Sequence, residues 1–321
     1  MVKSIQISIV HYAESKSLHF NDVLADQVRC IRALTTHPYS LNIVDNQMHP
    51  EARRDLEKKI PNIEIIETKG IHHTYPAGAN TAIENLSKDY LFLSHTDMLM
   101  SYNWLTVLAK DLELIENDHK VPAATYPLLL PYPRLVTTPD EKTMLKSIRT
   151  RSGLQQKDIA RGYMEKHGIA HKPWGDVTLA VCNNGEITDN GWRLGGAYLA
   201  SKRFFDEVGL YDPMINRGND KAYAIKALMT RCKVMVSNRA YLHHIGGLHK
   251  RSGCYGGEGY HENGEHKAYG SAELGAYHQL KKKYGITVFK KIQNGDIWRE
   301  LHEAQPHGKS RELIETYKRR G

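Results

Sequence analysis

Long apolar runs and clustered cysteines are both missing from this 321-residue sequence. No stretch approaches the roughly 18 apolar residues of a membrane-spanning helix, so we expect no transmembrane segment. The four cysteines (Cys30, Cys182, Cys232 and Cys254) are widely separated, and no pair has the spacing of a metal site. A reducing, cytoplasmic compartment is the simplest interpretation. Residues 1–15 hold a short apolar stretch without a small-residue cleavage site, which predicts a first strand rather than a signal peptide.

The net charge of +8 is concentrated near the C-terminus. Residues 281–321 contain eleven Lys/Arg and five Asp/Glu, a surplus of six positive charges. Such a segment is either a solvated helical surface or a patch for a polyanion, which could be nucleic acid or an anionic membrane surface. Charge alone does not choose between these interpretations.

Strand and helix patterns alternate through the first hundred residues. The predicted strands are 5–10, 41–44, 63–66 and 90–93, and the predicted helices are 21–35, 50–59 and 77–86. Asn21 or Asp22 is placed to cap the first helix. Strict alternation predicts an α/β fold with a parallel sheet and helices on both faces, in which ligands bind beyond the carboxyl ends of the strands.

Polar residues stand directly after several of these strands, where such a fold places its ligands. They are His11, Tyr12, Glu14, Asp45, Asn46, His95, Thr96 and Asp97. A carboxylate at Asp97 with an imidazole at His95 suits a divalent cation that keeps open positions for phosphate oxygens. The alternative is that Asp97 only forms a turn or caps a helix.

The second half of the chain departs from this regular pattern. We expect a helical insertion at about 139–175, a Gly/His/Tyr-rich loop at 249–270, and helices at 271–284 and 296–319. The predicted organisation is therefore a domain over 1–248, the loop over 249–270, and a basic helical extension over 271–321.

Three further groups could carry chemistry. Gly195 and Gly196 permit a close backbone approach, and Asp220 opens a predicted helix, as either a cap or a base. His243 and His244 follow an apolar strand. Adjacent strand residues point to opposite faces, so at most one of these two would bind a metal.

Several short segments form an ordered set along the chain. They are Ile43–Val44–Asp45–Asn46, Gly78–Ala79–Asn80, Leu91–Phe92–Leu93, His95–Thr96–Asp97, Gly195–Gly196–Ala197, Arg203–Phe204–Phe205, Val208–Gly209–Leu210–Tyr211–Asp212, Asn219–Asp220 and His243–His244. In this order they resemble the inverting glycosyltransferases of family 2, which share the GT-A fold. The resemblance covers residues 4–115 and 190–247. It departs from the family pattern where His95 replaces a first Asp, Asn219 replaces a Glu, and Ala222 replaces a second Asp.

This resemblance implies a GT-A-type, Rossmann-like mixed sheet, a nucleotide-sugar donor and one divalent cation, Mn²⁺ or Mg²⁺. It implies that Asp220 is the catalytic base and that Asp45 accepts a hydrogen bond from the nucleobase, flanked by His11 and Tyr12. The full implied donor set is His11, Tyr12, Glu14, Asp45, Asn46, Gly78, Asn80 and Thr96. The implied acceptor or sugar contacts are Trp192, Gly195, Gly196 and Asn219. The implied metal ligands are Asp97, His95, His243 and His244.

More than one acceptor and more than one reaction class are compatible with the sequence. The family resemblance favours a glycan or lipid-linked saccharide, and the basic C-terminus leaves room for a hydroxymethylated pyrimidine base in DNA. A nucleotidyltransferase on a similar sheet would release pyrophosphate instead of a nucleoside diphosphate. The departures at Asn219 and Ala222 also allow a non-catalytic protein that binds a nucleotide sugar or nucleic acid.

Overall fold

A computed structural model describes most of the chain. The described residues are 2–13, 18–68, 74–100, 103–131, 187–188, 194, 196–215, 218–244, 258–259, 267–268 and 278–320. The predicted insertion at 139–175 lies outside them, as do Glu14, Trp192 and Gly195. Within this part of the chain, no helix is long and apolar enough to cross a membrane.

The described part contains one large mixed sheet. Its strands are β1 (Ile5–His11), β2 (Tyr39–Asp45), β3 (Glu64–Glu67), β4 (Tyr90–His95), β5 (Met98–Met100), β6 (Ala123–Pro131), β7 (Ile187–Thr188), β8 (Ala197–Ser201) and β9 (Lys233–His244). The strand order is β3-β2-β1-β4-β8-β6-β9-β5, and β7 pairs with β9. The first four strands along the chain are mutually parallel, as predicted, whereas β8 runs antiparallel to both β4 and β6.

Helices cover both faces of this sheet. They are α1 (His19–Leu34), α2 (Pro50–Lys59), α3 (Tyr75–Glu84), α4 (Trp104–His119), α5 (Lys202–Val208), α6 (Asn219–Leu228), α7 (His278–Asn294), α8 (Asp296–Ala304) and α9 (Ser310–Arg319). One core packs α1, α2 and α4 on the first face, and a second core packs the other helices on the opposite face. Strand β8 shows the division, since Ala197 and Leu199 face the first core while Tyr198 and Ala200 face the second. The predicted α/β class, with a mixed sheet, two helical layers and a helical C-terminal region, is confirmed.

The start of α1 corrects one prediction. The helix begins at His19, and its N-cap residue, Leu18, makes no side-chain cap. Asn21 and Asp22 therefore lie inside the first turn rather than capping it. The amide of Asn21 is drawn away from the helix end, because it bonds to His11 and to α2.

The C-terminal helices are part of the second core. Leu280, Tyr284 and Trp298 are buried in the same cluster as Val44 and Leu93 of the sheet. The predicted helix 296–319 is divided in two by a short 3₁₀ turn at Gln305–His307. Within the predicted loop at 249–270, the four described residues form a small antiparallel ladder between β10 (Glu258–Gly259) and β11 (Lys267–Ala268).

Gly78 sets how closely α3 packs on β1. A Cβ atom at this position would lie 2.5 Å from Cγ1 of Val10, a distance that real side chains do not show. Val10 is β-branched and buried, so it has few rotamers with which to move aside. The glycine is therefore required by helix–strand packing.

We expect Gly78→Ala to lower the free energy of unfolding by about 1–3 kcal/mol, because the added methyl group overpacks the contact with Val10. At an uncrowded helical position the same change would instead stabilise by about 1 kcal/mol. Urea unfolding of wild type and Gly78→Ala measures the change in the free energy of unfolding. A matched test is Gly78→Ala/Val10→Ala, which should be more stable than the sum of the two single effects predicts. A Gly78→Ala protein as stable as wild type contradicts the packing argument.

Candidate functional site

The carboxyl ends of β1, β2 and β4 meet the start of β8 at one edge of the sheet. In the strand register His11 lies beside Asp45, Val10 beside His95, and Ser94 beside Ala197. The backbone N–H of His95 donates to the carbonyl oxygen of Gly196 at 2.7 Å. Residues that are far apart in sequence are thus brought to a common edge.

A two-residue link brings a distant strand to the same edge. Only Thr96 and Asp97 separate β4 from β5, yet β5 pairs with β9, with Met98 beside His244. Three residue steps cover at most about 11 Å, so the end of β9 lies close to the end of β4. A register shift at Pro127/Leu128, where β6 pairs with β9, gives these strands an irregularity of the kind that bends a sheet.

Asp97 lies in this link with a left-handed backbone, at φ 84°. Its N–H donates to Oε1 of Gln27 at 3.0 Å, and the Gln27 amide nitrogen donates to the carbonyl oxygen of His95 at 3.0 Å. Gln27 is a buried residue of α1. These two bonds hold the backbone on both sides of Thr96 and so fix the position of Asp97. Sequence reasoning did not identify Gln27, because a glutamine within an amphipathic helix carries no distinctive signal.

His11 is buried, and both of its ring nitrogens have protein partners. Nδ1 lies 2.8 Å from Oγ1 of Thr96, and Nε2 lies 2.8 Å from Oδ1 of Asn21. Asn21 also donates to Oδ2 of Asp55 at 2.8 Å. The arrangement ties β1 to α1, α2 and the Thr96–Asp97 link. His11 and Thr96, both predicted donor contacts, thus contact each other here.

Asp45 is a buried carboxylate at the end of β2. Oδ1 accepts the Met48 N–H at 2.7 Å, and Oδ2 accepts from the Arg53 guanidinium at 2.7 Å. Each oxygen keeps a further lone pair. The two bonds fix the orientation of the carboxylate, which is what a residue that reads a nucleobase requires.

Tyr75 connects several of the predicted residues. Its ring stacks on the His95 ring with centroids 3.9 Å apart. Its hydroxyl approaches the backbone N–H of Gly196 without reaching hydrogen-bond geometry. Burial, and then the negative charge of Asp220, raise the pKa of Tyr75 well above its usual value. Tyr75 also packs edge-on against Tyr211, which stacks on Tyr223 of α6, so the helix that contains Asp220 lies near the same side chain. No pattern in the sequence singled Tyr75 out.

Asn219 and Asp220 open α6, and Gly218 before them has a left-handed backbone that suits glycine. At this position the helix dipole favours the ionised form of Asp220. The side chain of Asp220 is half-buried.

Gly78 and Asn80 of the predicted donor set have structural partners. Asn80 makes two bonds to the Tyr211 backbone, accepting from its N–H at 2.7 Å and donating to its carbonyl oxygen at 3.0 Å. These bonds join α3 to the segment that leads into α6. Tyr12, also in that set, is half-buried just beyond β1.

Three buried polar atoms near this edge have no hydrogen-bond partner among the described residues. They are Oδ1 of Asn46, Oγ1 of Thr68 and the hydroxyl of Tyr75. Asn46 follows β2 and Thr68 follows β3, and the amide nitrogen of Asn46 donates to the carbonyl oxygen of Thr74, next to Tyr75. A buried polar group without a partner costs about 1–3 kcal/mol. A polar ligand bound here would satisfy such groups.

Asp97 is the residue at this edge whose chemistry suits a divalent cation. Its carboxylate supplies the hard oxygen ligand that Mn²⁺ or Mg²⁺ prefers, and the register brings the backbone of His243 and His244 alongside the same link. His95 contributes its ring to the Tyr75 stack. The side chains described here include no group of three or more His, Cys, Asp or Glu that could hold a metal by itself.

Comparison with known proteins gives structural similarity only. No protein-family model and no curated protein matches the chain. S. aureus TarS 1–349 superposes with TM-score 0.46 and 10% identity over 75% of this chain and 60% of that chain. The complex of TarS 1–349 with UDP-GlcNAc superposes with TM-score 0.46 and 12% identity, again over 75% of this chain and 60% of that chain. GalNAc-T7 with UDP, GalNAc and Mn²⁺ superposes with TM-score 0.48 and 15% identity over 76% of this chain and 44% of that chain. This chain therefore spans less than two thirds of either protein, and residue roles do not transfer at such scores.

The Tyr75 hydroxyl provides a test of the site. Because it is buried and has no hydrogen-bond partner within the described ranges, we expect Tyr75→Phe to be at least as stable as wild type and up to about 1 kcal/mol more stable. The matched control is Tyr223→Phe, whose hydroxyl donates to the Gly209 carbonyl oxygen at 2.7 Å and whose loss should cost about 1 kcal/mol. Thermal and urea unfolding measure both. If Tyr75→Phe is destabilised as much as Tyr223→Phe, the Tyr75 hydroxyl already has a partner in the folded protein.

Proposed function

We propose that this protein is a metal-dependent glycosyltransferase of GT-A type that moves a sugar from a nucleotide-sugar donor to an acceptor hydroxyl, with inversion at the anomeric carbon. The observation that carries this proposal is the position of Asp45 and Asp97 at one edge of the sheet, where Tyr75 stacks on His95. Tyr75 also packs against Tyr211, which stacks on Tyr223 of α6, the helix that begins with Asn219 and Asp220. Direct displacement needs a site for the nucleotide, a site for the diphosphate and a base. The edge offers a residue for each.

In this proposal the nucleoside binds at the ends of β1 and β2. Asp45 is held by Met48 and Arg53, and it presents its remaining lone pairs as acceptors for a base N–H. The Asn46 amide oxygen and the Thr68 hydroxyl are buried without a hydrogen-bond partner among the described residues, so both would gain a bond from a nucleoside bound here. His11 and Thr96 act indirectly, because their mutual bond supports the end of β1.

In the same proposal the diphosphate binds beside the Thr96–Asp97 link. Asp97, with one histidine of the 243–244 pair, would hold Mn²⁺ or Mg²⁺, which when bound neutralises negative charge on the leaving diphosphate. The Gln27 bonds keep Asp97 in place for this role. His95 is oriented by its stack on Tyr75, which places its imidazole next to the same link.

Asp220 is the proposed base. It would accept the proton of the acceptor hydroxyl at a carboxylate oxygen while the hydroxyl oxygen bonds to the anomeric carbon and the bond to the diphosphate breaks. It lies in the first turn of α6. Asn219 directly precedes Asp220, and we propose Asn219 and Gly196 as sugar or acceptor contacts. Trp192 and Gly195, the other predicted contacts, stay predictions.

The acceptor we favour is a glycan or lipid-linked saccharide, and a hydroxymethylated pyrimidine in DNA is the alternative to test beside it. A panel of nucleotide sugars with Mn²⁺ or Mg²⁺, assayed for the released nucleotide, identifies the donor and the reaction class together. Release of nucleoside diphosphate supports glycosyl transfer. Release of pyrophosphate in a parallel assay that supplies nucleoside triphosphates with sugar 1-phosphates would instead indicate a nucleotidyltransferase. No turnover in either assay would indicate a binding protein.

We expect Asp220→Asn to lower the transfer rate by about 10²–10⁴, because the amide cannot take the acceptor proton. Donor affinity and metal affinity should stay unchanged, since Asp220 is assigned to neither. Initial-rate kinetics and calorimetric titration of donor and Mn²⁺ measure these quantities. The control is Asp206→Asn on the exposed side of α5, which should keep the wild-type rate. Near wild-type turnover by Asp220→Asn would remove Asp220 from the mechanism.

A further inference from the structure

The basic C-terminal helices meet the segment before α6 at a cluster of lysines. Nζ of Lys283 pairs with Oδ2 of Asp212 at 2.7 Å, and Nζ of Lys226 donates to the Leu210 carbonyl oxygen at 2.7 Å. Burial, and then the positive charge of Lys283, lower the pKa of Lys226. Two lysines thus lie close to one carboxylate, which leaves the cluster positively charged.

The end of α9 adds further positive charge. Lys318 lies against the kink in α7, where its Cα would be 3.5 Å from a Cβ on Gly285, and its ammonium lies 5.9 Å from the Tyr284 ring centroid. The ammonium of Lys283 lies 5.7 Å from the same centroid. Lys318 pairs with Glu315 at 2.7 Å, whereas the exposed Arg319 and Arg320 follow directly. Lys282, beside Lys283, is also exposed.

Exposed aliphatic side chains lie among these charges. The described part of the chain has five large hydrophobic residues that are well exposed, and three of them are Leu210, Met214 and Ile286. Leu210 and Met214 stand two residues on either side of Asp212, and Ile286 follows Gly285 at the kink. Single exposed apolar residues need no explanation, but three within one basic cluster form an amphipathic face.

This face adjoins the candidate site. Tyr211, next to Asp212, packs edge-on against Tyr75 with ring centroids 6.1 Å apart. The hydroxyl of Tyr284 donates to the carbonyl oxygen of Ala222, two residues after Asp220, at 3.3 Å. A partner bound at the face would therefore lie close to the edge where the proposed base is found.

Lysines mixed with aliphatic side chains match an anionic lipid surface better than a nucleic acid. Anionic headgroups attract the lysines, while Leu, Met and Ile side chains gain free energy when they enter the boundary between headgroups and acyl chains. A phosphodiester backbone satisfies only the charges, because nucleic acids are held by phosphate contacts and by aromatic stacking.

We propose that this amphipathic cluster is a docking face for an anionic phospholipid bilayer surface. Its residues are Leu210, Met214, Ile286, Lys282, Lys283, Lys318, Arg319 and Arg320. We call it the lipid-docking face. If the proposed transfer reaction is correct, this face holds the adjoining site near acceptors at the membrane surface. Binding to vesicles does not itself require the transfer reaction, so the two proposals can fail separately.

Flotation with lipid vesicles tests this proposal on the full-length chain. We compare vesicles of phosphatidylcholine alone with vesicles that contain roughly 30% phosphatidylglycerol. Wild type should bind the anionic vesicles and not the neutral ones. The variant Lys282→Gln/Arg319→Gln/Arg320→Gln should bind about 10²-fold more weakly, because each basic residue near the surface contributes about a fivefold factor. Leu210→Ser/Met214→Ser/Ile286→Ser should bind several-fold more weakly.

Matched controls lie on the opposite face of the sheet. Arg54→Gln/Lys58→Gln/Lys110→Gln removes three exposed cations from α2 and α4, and Leu114→Ser removes an exposed aliphatic residue from α4. Both should bind vesicles like wild type, and circular dichroism should show every variant folded. The proposal is overturned if wild type does not bind anionic vesicles. It is also overturned if the control variants lose as much binding as the matching variants, or if Leu210→Ser/Met214→Ser/Ile286→Ser binds like wild type. Tighter binding of duplex DNA than of vesicles at equal phosphate concentration would overturn it in favour of a nucleic-acid partner.

Discussion

The site depends on the short link between β4 and β5. Only Thr96 and Asp97 join two strands that are separated by three others in the sheet order, so the chain cannot make both pairings unless the end of β9 bends toward the end of β4. The irregular register between β6 and β9 is the feature that accommodates such a bend. The link thereby brings Asp97 and the backbone of His243 and His244 together, although about 150 residues separate them in sequence.

The same edge collects features that cost stability. Asp97 has a left-handed backbone that a residue with a side chain rarely adopts. Asn46, Thr68 and Tyr75 bury polar atoms that have no hydrogen-bond partner in the part of the chain that the structure describes. Strain and unsatisfied polar groups persist where the surrounding structure holds them, and they concentrate at functional sites. The Gln27 bonds show how the fold holds this conformation: one side chain on α1 binds the backbone before and after Thr96.

Much of the fold was readable from the sequence because local patterns determine it. The first four strands and three of the helices were predicted within a few residues, since alternating apolar runs and helical spacing need no tertiary information. The start of α1 was missed because Asn21 bonds to His11 in β1, a partner that local sequence does not reveal. Tyr75 and Gln27 were missed for the same reason. Tyr75 matters through its stack on His95, which is 20 positions away, and Gln27 through bonds to a turn about 70 positions away.

A crystal structure with a nucleotide sugar and Mn²⁺ tests the central claim most directly, because the anomalous signal of manganese locates the ion without assumptions about the ligands. We predict an anomalous peak in contact with the Asp97 carboxylate and one histidine of the 243–244 pair, with the nucleoside against Asp45 and the anomeric carbon facing Asp220. A manganese peak or a nucleotide bound at any other surface would contradict the account.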